Sequence, residues 1–281
     1  GNANGFKIIS ENKAGIKGGL RLSYATLGAF TKYPRKSILD KKSSHVKDKK
    51  YGFFHSQNSF FDEVANELGM IDSNGSYMRH PLAFLVEAAD DICYTLIDFE
   101  DGINLGWISE EYALEFLIRL VKDSIDTKKY NSLKHKTDRV AYLRALSINT
   151  LINDTVKIFL KNEEKILNGE FTKTLLSESV FKAQMEDIID ISVKKVYNSK
   201  EVIEKELKGY QVIHKLLSVF IKAAVNNQSD NTTALDDLVL ASLPKTYIHK
   251  EGNLYNQLLD ISCFVASLTD GNALEWYNKI S

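Results

Sequence analysis

The chain has 281 residues, 44% of them hydrophobic and 26% charged, with a formal net charge of −1. That length suffices for one large or two modest cores, and the composition is ordinary for a soluble globular protein. A near-neutral total gives no field that would steer the chain to nucleic acid or a membrane surface, and no stretch approaches the roughly 18 apolar residues of a membrane span.

Two cysteines occur, Cys93 and Cys263, both within apolar helical patterns. They are expected to be buried and reduced, which, with no signal-peptide pattern at the start, points to the cytoplasm. The chain opens at Gly1 without an initiator methionine and runs directly into sequence that looks folded, so it reads as a fragment.

Only three prolines interrupt long 3.6-residue periodicities, which predicts an all-α protein. In chain order the pattern predicts helices over 19–31, 57–69, 81–101, 109–125, 137–166, 178–197, 199–226, 232–243 and 253–280. Pro81 suits a first helical turn and Gly102 a helix end, while Ser109 and Thr137 suit N-caps.

Between the first two of these lies a basic, non-helical stretch, 32–55. It holds Lys32, Arg35, Lys36, Lys41, Lys42, Lys47, Lys49 and Lys50 against Asp40 and Asp48, a net of +6. A solvated loop accounts for most such lysines. An anion-facing loop is the sharper expectation, since Lys and Arg are the usual ligands of a triphosphate.

The helix predicted over 81–101 carries the chemistry. Leu82, Leu85, Val86, Ala89, Ile92, Cys93, Leu96, Ile97 and Phe99 fall on one broad side, and Glu87, Asp90, Asp91, Tyr94, Asp98 and Asp101 on the other. Asp90, Tyr94 and Asp98 stand at i, i+4 and i+8 and so share a line. Solvated faces usually mix charge signs, yet no Lys or Arg occurs from position 80 to 116. Acids at a helix C-terminus also oppose the macrodipole. Such a one-sided cluster is favoured where a cation offsets it. The six histidines supply no His-Asp pair and no His at i+3 or i+4 from another, so a coordination sphere cannot be completed from motifs in this chain.

The run Arg79-His80-Pro81-Leu82-Ala83-Phe84-Leu85-Val86-Glu87-Ala88-Ala89-Asp90-Asp91-Ile92-Cys93-Tyr94 resembles the final motif of bacterial dGTPases and dGTPase-like HD-superfamily proteins. So do Gly18-Gly19-Leu20-Arg21-Leu22-Ser23-Tyr24-Ala25-Thr26-Leu27, Lys32-Tyr33-Pro34-Arg35 and Tyr51-Gly52-Phe53-Phe54. Further on, Arg139-Val140-Ala141-Tyr142-Leu143-Arg144-Ala145-Leu146 and Ser267-Leu268-Thr269-Asp270-Gly271-Asn272-Ala273 look like the same family, and Gly1-Asn2-Ala3 resembles the element after its central His-Asp pair.

The resemblance implies an HD-type helical bundle, partial here, with a C-terminal helical extension. Residues 1–125 would be the C-terminal part of the phosphohydrolase domain. Residues 126–281 would complete the substrate pocket and oligomer contacts. It implies hydrolysis of a deoxynucleoside triphosphate, dGTP among them, to deoxynucleoside and triphosphate. Asp90 would be the last ligand of a divalent metal of the Mg, Mn or Fe type, the other ligands lying upstream of Gly1, so that this chain alone would be inactive. Lys32 and Tyr33 would face phosphates or sugar, Tyr94 the deoxyribose and Asp98 a sugar hydroxyl, with Tyr142 and Arg144 as further substrate contacts. A homo-oligomer is implied, hexameric, dimeric or tetrameric; membrane and nucleic-acid partners are not. Two alternatives remain: an HD phosphohydrolase of another phosphate ester, and a non-catalytic helical module for nucleotide binding or oligomerisation.

Overall fold

The computed structural model describes residues 2–11, 19–38, 50–247 and 253–280. The protein is 73% helical, without strands among the described residues, so the all-α expectation holds. It divides into two compact units, Gly1–Ser199 and Lys200–Ser281.

In the first unit the helices are α1 (Asn2–Ser10), α2 (Tyr24–Phe30), α3 (Asn58–Glu67), α4 (Pro81–Asn104), α5 (Glu110–Val121), α6 (Thr127–Ser132), α7 (Lys136–Lys161), α8 (Glu163–Leu167) and α9 (Lys182–Ser192). A π-helical turn, Val193–Tyr197, follows α9 directly. The centre is α4. Its Ile92, Leu96, Phe99 and Ile103 pack with Leu117 and Leu120 of α5, Val140, Leu143 and Leu151 of α7, and Ile188 of α9. Each such buried side chain contributes about 1.5–3 kcal/mol relative to exposure. A second, aromatic cluster joins α1 to α3: the rings of Phe53 and Phe61 stack with centroids 4.2 Å apart, and Phe6 meets Phe61 edge-on at 5.7 Å.

Both ends of α4 are written locally. His80 is the N-cap, its Nδ1 accepting the Leu82 N–H at 3.2 Å, and Pro81 occupies the first turn as expected. The C-terminus differs from expectation. Gly102 does not end the helix; it is buried inside it, where an added Cβ would lie 2.6 Å from Val196 Cγ2 and 2.9 Å from Ile108 Cδ1. The stop is Gly106, at φ +78°, with Trp107 N–H donating to Gly102 O at 2.9 Å and Gly106 N–H to Ile103 O at 3.1 Å. This is a Schellman closure.

Other boundaries shift for similar reasons. Ser109 is the N-cap of α5, but α7 starts at Lys136 with His135 rather than Thr137 before it. Two helices lacked a sequence prediction: α1, and α6, whose N-cap Asp126 accepts from Lys128 N–H at 2.9 Å and Lys129 N–H at 3.1 Å.

The second unit consists of α10 (Lys200–Gln228), α11 (Ala234–Ser242), α12 (Leu254–Ser267) and α13 (Asp270–Ile280). They enclose Leu216, Phe220, Phe264 and Trp276, with Phe220 and Trp276 edge-to-face at 5.5 Å. The single helix expected over 253–280 is two helices. Thr269 interrupts it: its carbonyl accepts from Ala273 N–H at 2.8 Å and its hydroxyl oxygen from Asn272 N–H at 3.3 Å, which is how a Thr N-cap starts a new helix. Among the described residues, no helix is long and apolar enough to cross a membrane.

Candidate functional site on helix α4

The outward line of α4 presents Asp90, Tyr94 and Asp98 on successive turns. Two neighbouring segments meet that line, one near each end.

Near its start, α2 ends at Thr31, whose buried hydroxyl donates to Leu27 O at 2.8 Å and turns the chain back toward α4. Lys32 then reaches Asp90, Nζ to Oδ2 at 2.5 Å. The lysine side chain is 15% exposed and the aspartate 65%, so the carboxylate remains open to a ligand while the ammonium is held beneath it. Tyr33 follows, its hydroxyl 3.5 Å from Glu87 Oε1 and accepting from Lys50 Nζ at 3.0 Å. Lys50 also lies over the Tyr33 ring, 4.9 Å from its centroid. The hydrogen bond to Tyr33 raises the Lys50 pKa above its ordinary value, with Asp91 and Glu87 adding to it. Burial raises the Asp91 pKa, and the negative charges of Glu87 and Asp90 push the same way. Gly52 lets this loop close: a Cβ there would sit 2.2 Å from Tyr33 O. The remaining basic residues expected to face an anion, Lys41, Lys42, Lys47 and Lys49, lie outside the described residues, as does Asp40.

Near its end, Asp98 accepts from the Tyr197 hydroxyl at 2.5 Å. Burial first, and then this bond, push the Tyr197 hydroxyl far above the usual tyrosine range. Its ring lies 6.3 Å from that of Tyr94, tilted by 33°. Tyr197 belongs to the π-helical turn, a feature that often marks functional sites. It has no motif of its own in the sequence, and motif reading missed it.

The polar face of α4 is not the arc the helical wheel gave. Glu87 turns inward, is 6% exposed, and binds Arg79 Nη2 through Oε2 at 2.7 Å, while Arg79 stacks over Phe84 at 4.0 Å. Conversely Leu82, Val86, Cys93 and Ile97 are exposed, so the expectation that Cys93 is buried is corrected; Cys263 is buried. The buried arc runs through Phe84, Ala88, Ile92, Leu96 and Phe99, rotated from the wheel's apolar centre toward Glu87.

Tyr142 and Arg144 stand on α7, which packs against α4. Arg144 Nη1 binds Glu100 Oε2 at 2.7 Å. The Tyr142 hydroxyl accepts from Asp126 N–H at 3.2 Å, with Lys129 5.1 Å from its ring centroid. The structure therefore gathers Lys32, Tyr33, Asp90, Tyr94 and Asp98 along α4. It directs the polar groups of Tyr142 and Arg144 to Asp126 and Glu100.

Among the described residues, no three His, Cys, Asp or Glu side chains are placed to hold a metal ion together. Asp90 contributes one carboxylate, already paired with Lys32, and its neighbour Glu87 is committed to Arg79. Asp90 is therefore one donor, and the described residues do not complete the several N or O donors that a divalent ion takes.

Comparison with curated proteins gives matches over the whole chain. A deoxyguanosinetriphosphate triphosphohydrolase-like protein of Synechocystis sp. is 32% identical over 290 residues, covering 100% of this chain and 64% of the relative. The chain is a homologue of the deoxyguanosinetriphosphate triphosphohydrolase-like proteins. Another protein of that name, from Pseudomonas aeruginosa, is 30% identical over 290 residues, with 100% of this chain and 65% of the relative covered. The deoxyguanosinetriphosphate triphosphohydrolase of Serratia proteamaculans is 30% identical over 239 residues, 78% of this chain and 46% of that protein. The chain thus spans less than two thirds of the length of these relatives. No protein-family model matches it.

Proposed function

We propose that the protein containing this chain is a deoxynucleoside triphosphate triphosphohydrolase of the HD type, acting on dGTP or a related dNTP. The observation that carries the reading is the line of Asp90, Tyr94 and Asp98 on α4, with Lys32 held against its first member and Tyr197 against its last. Eight residues of helix separate Asp90 from Asp98, roughly 12 Å along the axis. Phosphate-directed and sugar-directed groups can therefore act on one extended ligand. Homology to proteins named for this activity supports the same substrate class.

In the reaction, water attacks the α-phosphorus and the bond to the 5′ oxygen breaks, giving deoxynucleoside and intact triphosphate. The Lys32 ammonium attracts the phosphates and offsets charge on the departing triphosphate. Tyr33, with Lys50 on its hydroxyl, adds a donor on the same side. Asp98, oriented by Tyr197, accepts from a sugar hydroxyl, and the Tyr94 ring lies along the deoxyribose. Asp90 is the residue of this chain that would ligate a divalent ion of the Mg, Mn or Fe type, the other ligands coming from outside it. Such an ion would polarise the α-phosphate. The proposed substrate contacts Tyr142 and Arg144 fall after residue 125 and the other site residues before it. The same reading expects a cytoplasmic homo-oligomer, which sedimentation of the whole protein measures.

The experiment is triphosphate release from dGTP by the whole protein and by its Asp90→Ala variant. The variant is expected to lose activity by at least 100-fold, together with bound divalent metal. Unchanged activity and metal content would remove Asp90 from the site.

A further inference from the structure

Within the second unit, α10, α11 and α13 line a cleft of about 540 Å³ that the catalytic reading above does not use. Its volume lies in the ~300–1,000 Å³ range of small-molecule sites. Val219, Val239, Trp276 and Ile280 give it an apolar wall, and Lys215 and Lys279 give it positive charge.

Three observations say what the cleft would hold. First, its wall is set in advance. The Trp276 ring meets Phe220 edge-to-face at 5.5 Å and Phe264 at 5.8 Å, so the indole is pinned from the core side and a ligand need not order it. Second, Leu235 and Leu238 line the same cleft yet are 66% and 70% exposed. They stand three residues apart on α11 and so share a face, an apolar surface that a bound apolar body would take out of water. Third, Lys215 is half-buried and makes no ion pair or hydrogen bond among the described residues. One turn away its own helix offers Gln211, Val212, Ser218 and Val219, none of them an acid. On the facing helices Glu275 already accepts from Lys279 Nζ at 2.7 Å, and Asp236 from Asn226 Nδ2 and the Thr233 N–H, each at 2.9 Å. Ser242 spends its hydroxyl proton on Val239 O at 2.6 Å. The side-chain donors left for an anion are those of Lys215, with Lys279 beside Trp276, its Nζ 5.5 Å from the ring centroid.

We infer that this cleft binds a small amphipathic anion, its apolar body against Trp276, Val219 and Val239 under the two leucines, and its carboxylate or phosphate head on Lys215. The chemistry of the cleft selects that class. A neutral apolar molecule leaves the half-buried ammonium unmatched, and a cation is repelled by two lysines. A small hydrophilic anion pairs with Lys215 but leaves Leu235 and Leu238 facing water. The cleft lies wholly within α10, α11 and α13, and the inference does not depend on the proposed function.

The test is calorimetric titration of the whole protein with decanoate, decyl phosphate, decanol and decylammonium. One decanoate or decyl phosphate per chain is expected to bind roughly tenfold or more tighter than decanol, the strength of a hydrogen bond to a charged group, and decylammonium more weakly still. The tighter of the two anions identifies the head group. Lys215→Met should bring the anions down to the affinity of decanol, while Lys215→Arg keeps the preference. Leu238→Glu, at an exposed position that the fold tolerates, should weaken both anions at least tenfold by placing a carboxylate at the mouth of the cleft. Circular dichroism checks that each variant is folded. Absence of saturable binding by either anion, decanol as tight as the anions, or a folded Lys215→Met variant that binds like the parent overturns the inference. So does concentration-dependent self-association that Leu238→Glu abolishes in a protein that binds neither anion, which would give this face to a second copy of the chain. Binding to phosphatidylglycerol vesicles without binding of either single anion overturns it as well.

Discussion

Replacing Arg79 by alanine should be among the most destabilising single changes in the first unit. Arg79 Nη2 binds Glu87 Oε2 at 2.7 Å, with side chains 21% and 8% exposed, and the guanidinium covers the Phe84 ring. Deleting the arginine leaves the Glu87 carboxylate inside the protein without its ion pair, with the Tyr33 hydroxyl at 3.5 Å. Breaking a buried pair in this way costs about 3–5 kcal/mol, and the loss of the ring stack adds to it. The partial exposure of Arg79 puts the expectation at the low end, about 3 kcal/mol. For a domain of this size that is a fall in melting temperature of roughly 6–12 °C. Glu87→Gln keeps an acceptor for the guanidinium and should cost only about 1–2 kcal/mol. The double change Arg79→Met with Glu87→Leu removes both charges and should recover most of the loss, since an apolar pair of similar volume is often neutral or better. Calorimetric melting of the four proteins measures all of this. An Arg79→Ala variant within about 1 kcal/mol of the parent would refute the claim that Glu87 is a buried, structural carboxylate. A double variant as damaged as Arg79→Ala would refute the reason given for it.

Tyr197→Phe removes the hydroxyl that holds Asp98, a bond to a charged group of about 1.5–3 kcal/mol. The whole protein should then lose roughly 10–100-fold in kcat/KM for dNTP hydrolysis with its fold intact, which steady-state kinetics and circular dichroism together would show. Stability should also depend on the charge of His80. Burial lowers its pKa from 6.5, and its neutral Nδ1 accepts the Leu82 N–H. The folded state therefore binds a proton less readily than the unfolded one, so stability is full above the unfolded value near 6.5 and falls as pH drops below it. His80→Asn keeps a capping oxygen without titrating, and urea melts should show that slope flattened between roughly pH 6.5 and 5. A slope identical to the parent's would remove His80 from the account.

Much of this architecture is legible in the sequence because helix signals are local. The run from Pro81, the period of 3.6 and the N-cap at Ser109 all translate directly into α4 and α5. Where the reading fails, two local signals compete. Thr269 can sit inside a helix or cap a new one, and its bonds to Asn272 and Ala273 decide for the cap. Gly102 looks like a stop, yet its lack of a side chain serves the close approach of Val196 and Ile108, and Gly106 takes the stopping role. Around the site, the spacing of Asp90, Tyr94 and Asp98 was enough to put them in line. The partners were not legible, because Lys32, Arg79 and Tyr197 come from segments whose positions depend on tertiary packing. A helical wheel also cannot tell that α4 carries two apolar lines. The one through Leu82, Val86, Cys93 and Ile97 is exposed, and Glu87 is drawn inward by an arginine eight residues before it.

The claim that water attacks the α-phosphorus and expels an intact triphosphate is tested most directly by hydrolysis of dGTP in ¹⁸O-labelled water with the whole protein. The account predicts deoxyguanosine free of label and triphosphate carrying one labelled oxygen. Label in deoxyguanosine, or release of pyrophosphate with dGMP, would contradict it.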